Sequence, residues 1–338
     1  MSEWLLAAPV LEAWLLVFVI LCGLATGGLG LLMIGHLMGE EWLAPIRSEA
    51  EAAALTAPLL LLLAVPLALG LAHLYPWATP RAELGLPSGL AAMLSPGFVL
   101  MRAAAILVIW TALALWITRA KDLRRASAIG LFLLAPTVTV AANDWVLSRE
   151  PRSWFGLFAF AFALSQLLAA LAGAMLISLL RSERPTPMRM QSVERALLTL
   201  ALLTLWAWFV QFLIVWLGNL PDEASWYFAR SGDWLWPLLG VALPALGLAV
   251  LVLAPPGAGR RTMLLGSALL LVQHGAHMLW LVRPAARDPE LAWADLAVAA
   301  ILGGVWTVWF VAALRRRPTF ATERGDEEVP ARVQSAAG

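Results

Sequence analysis

The sequence is poor in most of what a soluble enzyme uses. Charged side chains make up 13% of its 338 residues, against roughly 25% in an ordinary soluble domain. There is one cysteine, Cys22, so no intrachain disulfide forms. With no C-x-x-C-H motif and no multi-cysteine pattern, covalent haem and iron–sulfur clusters held by this chain are excluded as well. Any electron carriers must then be diffusible or belong to other subunits. A net charge of +1 offers nothing to nucleic acid. No phosphate loop, nucleophile constellation or metal-ligand set occurs, which argues against a stand-alone enzyme.

What the chain has in quantity is apolar length. Hydrophobic residues reach 61%, in runs of about twenty that match a hydrocarbon core of ~30 Å when helical. Helices are expected because each satisfies its backbone hydrogen bonds internally. The pattern predicts an all-α integral membrane protein with nine spans: 13–38, 55–75, 98–117, 126–147, 154–180, 197–216, 235–253, 263–281 and 293–314. Residues 1–314 form the transmembrane domain, and the charged, aperiodic tail 315–338 reads as disordered. No basic residue precedes the first run, which is too long for a signal-peptide core, so it reads as a retained helix. Alternate loops and the tail collect sixteen of the 23 Lys and Arg residues and the other side seven. Basic residues stay cytoplasmic, so the N-terminus is expected outside and the C-terminus in the cytoplasm.

Polar groups within spans mark function by default, because the bilayer makes them costly. Asp144, near the outward end of the fourth run, reads as the only carboxylate within a span, with Thr137 on the same face. It is a candidate proton acceptor or hydrogen-bond partner for a buried ligand, or else a helix-end acid that reaches interfacial water or pairs with Arg149 or Arg152. The eighth run carries Gln273, His274 and His277 in its outer half. Two imidazoles three apart share a face and could relay protons. They make only half a metal site, so no metal is expected. Gln211 lies on a stripe with Thr204 and Gly218, suited to packing or to a ligand groove. Gly23, Gly27 and Gly30 read as a helix-packing surface. His73 and His36, at helix ends, carry no functional reading. Tryptophans gather on the outward side, among them Trp77, Trp145, Trp154, Trp226, Trp236, Trp280 and Trp293. An interfacial belt is the first reading and a docking surface for a peripheral partner the second.

Two stretches resemble a known family. The first is Asn143-Asp144-Trp145-Val146-Leu147-Ser148-Arg149-Glu150-Pro151, followed by Trp154-Phe155. The second runs from Leu205 through Gln211, Trp216 and Asn219 to Pro221-Asp222-Glu223, with Trp226 and Arg230 beyond. Ser95-Pro96-Gly97-Phe98 with Arg102 looks like the family's F-x-x-x-R helix start. Together they resemble the shorter NrfD-like membrane subunit (ActF type) of alternative complex III, the bacterial quinol:cytochrome c oxidoreductase. The resemblance covers roughly residues 90–235. It departs from the family at Gly156 and Leu157, where a polar pair is expected, at His277, where an acid is expected, and in having nine spans rather than about ten.

The resemblance implies a pair of four-helix bundles plus one extra helix, in a bacterial inner membrane. It implies quinol or menaquinol bound near the outer surface and electrons passed to iron–sulfur and haem-c partner subunits. Asp144, with His274 and His277, are then the candidate catalytic groups for accepting protons. Arg102, Gln211, Asn219 and Glu223 are the candidate quinol-binding positions. Expected partners are an NrfD-like paralogue, an iron–sulfur protein, c-type cytochromes and lipids. The alternative is a cofactor-free anchor subunit of the same complex, with the longer paralogue holding the quinol. A secondary transporter is the third reading, and the outer placement of the polar residues argues against it.

Overall fold

The computed structural model describes residues 7–39, 42–79, 85–153, 156–181, 187–257, 259–286, 290–291 and 293–317, with the side chains of 187–189 left aside. Trp154, Phe155, Arg287 and the tail beyond Arg317 lie outside the described residues. Among the described residues there is no strand, and nine helices are long and apolar enough to cross a membrane. The chain is an all-α, multi-pass membrane protein. The helices are α1 (Ala8–Met38), α2 (Ala44–Leu69), α3 (Pro96–Ile117), α4 (Leu123–Trp145) and α5 (Phe158–Arg181), then α6 (Pro187–Gly218), α7 (Gly232–Leu253), α8 (Arg260–Val282) and α9 (Trp293–Leu314).

Proline opens several of them, at Pro9, Pro96 and Pro187, where its missing N–H would be unpaired anyway and its fixed φ suits the first turn. Inside α2, Pro58 and Pro66 break the rod into short segments, and Gly70 follows its end. α7 begins with a tight turn at Gly232–Leu235 and continues as a wide, π-type turn over Trp236–Ala242 before Leu243–Leu253 runs as ordinary helix. Pro244 donates no hydrogen bond to the preceding turn, and this local widening accommodates the loss.

Each helix in the first half packs on the next, and α4 closes on α1, which makes a four-helix ring; α5–α8 repeat the arrangement, with α8 closing on α5. The rings join chiefly along α1 and α5. There the predicted glycine surface acts as a close-contact seam: a Cβ at Gly27 would sit 2.4 Å from the Gln166 carbonyl oxygen. α9 lies outside both rings, against α1 and the first turns of α2. The expected two bundles and extra helix are therefore present.

Helix lengths correct the sequence reading. α1 starts five residues before the predicted Ala13, α2 starts at Ala44 rather than Leu55, and α6 starts at Pro187 rather than Leu197. Asp144 is consequently not the only acid within a span. Glu12, Glu49, Glu51 and Glu194 are also buried on helices. Hydropathy cannot register them, because an acid is tolerated there only through a partner elsewhere in the chain. Glu12 meets Arg149 at 2.6 Å, Glu49 meets Arg181 at 2.6 Å, and Glu51 meets Arg47 at 3.1 Å.

Candidate functional site

By topology α1 starts, α4, α6 and α8 end, and α5, α7 and α9 start at one end of the molecule, here called the Asp144 end; the other is the tail end. At the Asp144 end, arginines do most of the joining. Arg102 grips Asp144 with two bonds, Nε to Oδ2 at 2.6 Å and Nη2 to Oδ1 at 2.8 Å, while its plane rests 4.7 Å from the Phe98 ring. Two candidates assigned separate roles thus form one two-pronged ion pair, and the expected partners Arg149 and Arg152 are not used for Asp144. Arg149 bonds Glu12 of α1 and the Val282 carbonyl. Arg230, fully buried, donates to Glu150 at 2.6 Å, to the Trp226 carbonyl at 2.9 Å and twice to the Leu281 carbonyl. Its guanidinium lies 3.6 Å from the Trp226 ring centre. Burial pushes its pKa down to about 10, against the Glu150 carboxylate, so it stays charged at neutral pH.

These contacts explain the two sequence stretches physically. The last carbonyls of α8 have no helical partner, and Arg149 from the first stretch and Arg230 from beyond the second both supply N–H groups to them. A positive charge at a helix C-terminus also meets the negative end of the helix dipole. Trp145 is fixed by Tyr75, whose hydroxyl donates to its carbonyl at 3.0 Å, and by ring contacts at 5.5 Å with Phe18 and Trp110. Trp77 donates to the Ser148 carbonyl at 3.0 Å. Thr137 accepts from Trp110 at 3.0 Å, which makes it a packing partner rather than a ligand to anything beyond. Trp77, Trp145, Trp226 and Trp280 are all buried, so the outer tryptophans are mostly internal struts; Trp236 and Trp293 are exposed as a belt requires.

The second bundle is built differently. A cavity of about 760 Å³ opens between α6, the short helix Pro221–Ala229, α7 and α8. Aromatic rings dominate its wall, Trp208, Phe212, Tyr227 and Trp280 among them, and its polar groups are few: Asn219, Arg230, Ser231 and His277. Phe209, Trp216 and Phe228 line it while also being exposed on the outside of the bundle, so it opens laterally. The His277 ring is held edge-on by Trp208 at 4.7 Å and stacked on Trp280 at 5.9 Å. Its Nδ1, and both ring nitrogens of His274, have no hydrogen-bond partner among the described residues. Gln211 stands behind the wall, hydrogen-bonded to the Tyr227 side chain, with its Nε2 unpartnered. Burial raises the Tyr227 hydroxyl pKa, opposed by Gln211 and Arg230. Asn219 ends α6 with φ at 47°, a left-handed conformation that Asn tolerates better than most residues. Glu223 is half-buried in the first turn of the short helix, near enough to Tyr227 to act on its charge.

The seven candidates therefore fall into two groups. Arg102 and Asp144 neutralise each other in the first bundle, and neither lines this cavity. Asn219 and His277 line it in the second, Gln211 and Glu223 adjoin it through Tyr227, and His274 sits one turn deeper in α8. No group of three or more metal-ligating side chains occurs among the described residues. Sequence reasoning missed Tyr227, Trp208 and Trp280. One signal was available: the chain has two tyrosines, and both sit at the Asp144 end. His73 is exposed, and His36 bonds Ser127 at 2.9 Å. No protein-family model matches the chain, and no curated protein is significantly similar to it.

Proposed function

We propose that this protein is a membrane subunit of a quinol:cytochrome c oxidoreductase of the alternative complex III kind, and that it holds a quinol head group in the cavity between α6 and α8. One observation carries the reading. The cavity is within the ~300–1,000 Å³ of small-molecule sites and has their composition, an apolar aromatic wall with a few fixed polar groups. Its lateral opening suits a ligand that arrives through the bilayer. A quinol is a flat aromatic ring with two hydroxyl groups and an isoprenoid tail. The ring fits between indole faces, and its hydroxyls match Tyr227, Asn219 and the imidazole of His277. On oxidation to the quinone two electrons and both hydroxyl protons leave; His277, on the cavity wall, is assigned one proton and interfacial water at the Asp144 end the other. The electrons leave to iron–sulfur and haem-c groups of partner subunits docked on the Asp144 end.

That end is assigned to the outside of a bacterial inner membrane, with the tail in the cytoplasm. Four of the arginines at the Asp144 end, Arg102, Arg149, Arg230 and Arg283, are committed to carboxylates inside the fold. The free basic charge is concentrated at the tail end, as the cytoplasmic retention of Lys and Arg requires. The self-contained Arg102–Asp144 pair favours a second reading for the first bundle alone, as an anchor for partner subunits.

Binding of a short-tailed quinone analogue to the detergent-extracted protein tests the proposal, followed by quenching of tryptophan fluorescence from Trp208 and Trp280. Saturable quenching that weakens about tenfold in His277→Phe is expected, as for loss of one hydrogen bond to a ligand. Quenching that is absent, or unchanged by that substitution and by Tyr227→Phe, would remove the site. Co-purification of a multihaem cytochrome and an iron–sulfur protein tests the assignment to the complex.

A further inference from the structure

A groove of about 1060 Å³ at the tail end lies outside both bundles, between the bend of α2, the end of α3 and the length of α9. Its upper wall is apolar, from Leu115, Ile301, Val305 and Val308, and its mouth carries Arg119, Arg316 and Arg317. Arg317 is held by Glu51 at 2.5 Å, and Arg47 meets the same carboxylate at 3.1 Å. Arg119 and Arg316 are exposed, and neither has a carboxylate partner among the described residues. Among the described residues the groove is therefore apolar along its length and carries uncompensated positive charge only at its mouth.

The walls are fixed rather than collapsed. Trp309 donates to the Leu55 carbonyl at 3.0 Å and Trp306 to the Thr56 hydroxyl at 3.1 Å, which ties α9 to the bend of α2. Gly304 borders the groove, and a Cβ there would meet nothing within 4 Å. From Ile301 to Arg316 the helical rise is roughly 22 Å. That exceeds the ~15 Å half-thickness of a hydrocarbon core, so the groove reaches from mid-bilayer to the head-group layer.

We propose that this groove holds one anionic phospholipid of the leaflet at the tail end, with its phosphate between Arg119 and Arg316 and an acyl chain along α9. Basic pockets between membrane helices recognise anionic head groups through this combination of interfacial charge and apolar depth. A bare phosphate would leave the apolar wall unused, and a zwitterionic lipid would bring its own cation against the arginines. The inference uses no residue of the quinol site and stands apart from it.

Native mass spectrometry of the full-length protein, extracted in neutral detergent and titrated with phosphatidylglycerol or phosphatidylcholine, reads it out. One phosphatidylglycerol should be retained with roughly tenfold preference, and Arg119→Gln with Arg316→Gln should abolish the preference. Gly304→Phe, which fills open space and leaves the charges in place, should lower retention of the lipid while the protein stays folded. Equal retention of both lipids overturns the proposal, as does a preference that survives the double substitution or retention unaffected by Gly304→Phe. Displacement of the lipid by inorganic phosphate alone at millimolar concentration would show a simple anion site and overturn it too.

Discussion

The two bundles share a plan and differ in how they treat polarity at the Asp144 end. In the first, the conspicuous acid is neutralised by a two-pronged arginine, Thr137 satisfies an indole, and the cavity between α2 and α3 is small, about 220 Å³, and almost wholly apolar. In the second, a cavity more than three times that size is walled by aromatic rings, and the buried nitrogens of His274, His277 and Gln211 lack partners. An unpartnered polar group in a dry interior costs about 1–3 kcal/mol. Among the described residues both halves carry such groups, Asn143 Oδ1 and Arg149 Nε in the first and the nitrogens of His274, His277 and Gln211 in the second, but only in the second does one of them, His277, line a large cavity. The acid that stands out in the sequence lies in the first bundle, paired with Arg102.

The largest expected effect is on the joint between them. Arg230→Leu removes the partner of Glu150 and the donors to Leu281, and should cost about 3–5 kcal/mol in unfolding followed by circular dichroism in detergent. A variant as stable as the parent would mean the α8 terminus is held some other way. Asp144→Asn should cost less, about 2 kcal/mol, because Arg102 is partly exposed and can reach water. Its affinity for a quinone analogue should be unchanged; a loss of affinity with little loss of stability would return Asp144 to the binding site and erase the distinction drawn here.

At the seam between the bundles, Gly27→Ala forces a methyl against the Gln166 backbone and should cost about 1–3 kcal/mol. Gly304→Ala, facing open space, should be neutral or slightly stabilising as a helix substitution. If the two behave alike in thermal unfolding, the close approach of α1 and α5 is not what joins the halves. The smallest stability change is expected for His277→Phe, within about 1 kcal/mol, since no protein hydrogen bond from its Nδ1 is lost. Its effect should appear instead as weaker ligand binding, and a large destabilisation with unaltered binding would make His277 a packing residue.

Nine spans were legible because a run of about twenty apolar residues has few alternatives to a membrane helix, and Pro and Gly punctuate the turns. The errors fell where charge interrupts hydropathy. Arg47–Ala54 carries two glutamates and reads as a loop, yet it is helix packed against α1, because Arg181 and Arg317 come from elsewhere, and Arg47 from one turn away, to neutralise them. At the site, Gln211, Asn219 and His277 stood out as polar letters in apolar runs. Trp280 read as one of the outward belt tryptophans and Tyr227 and Trp208 carried no reading of their own, and only their convergence distinguishes them.

The sequence by itself determined that this is a helical membrane protein of nine spans, with basic charge gathered at one end. Those properties follow from composition and period, which every residue carries wherever the chain goes. Which acid meets which arginine, which half is sealed and which is open, and which aromatic rings face one another depend mostly on residues far apart in the chain, as with Arg102 and Asp144, Glu12 and Arg149, or Glu51 and Arg317. Pairing is a property of distance in space, so only the tertiary structure could decide it.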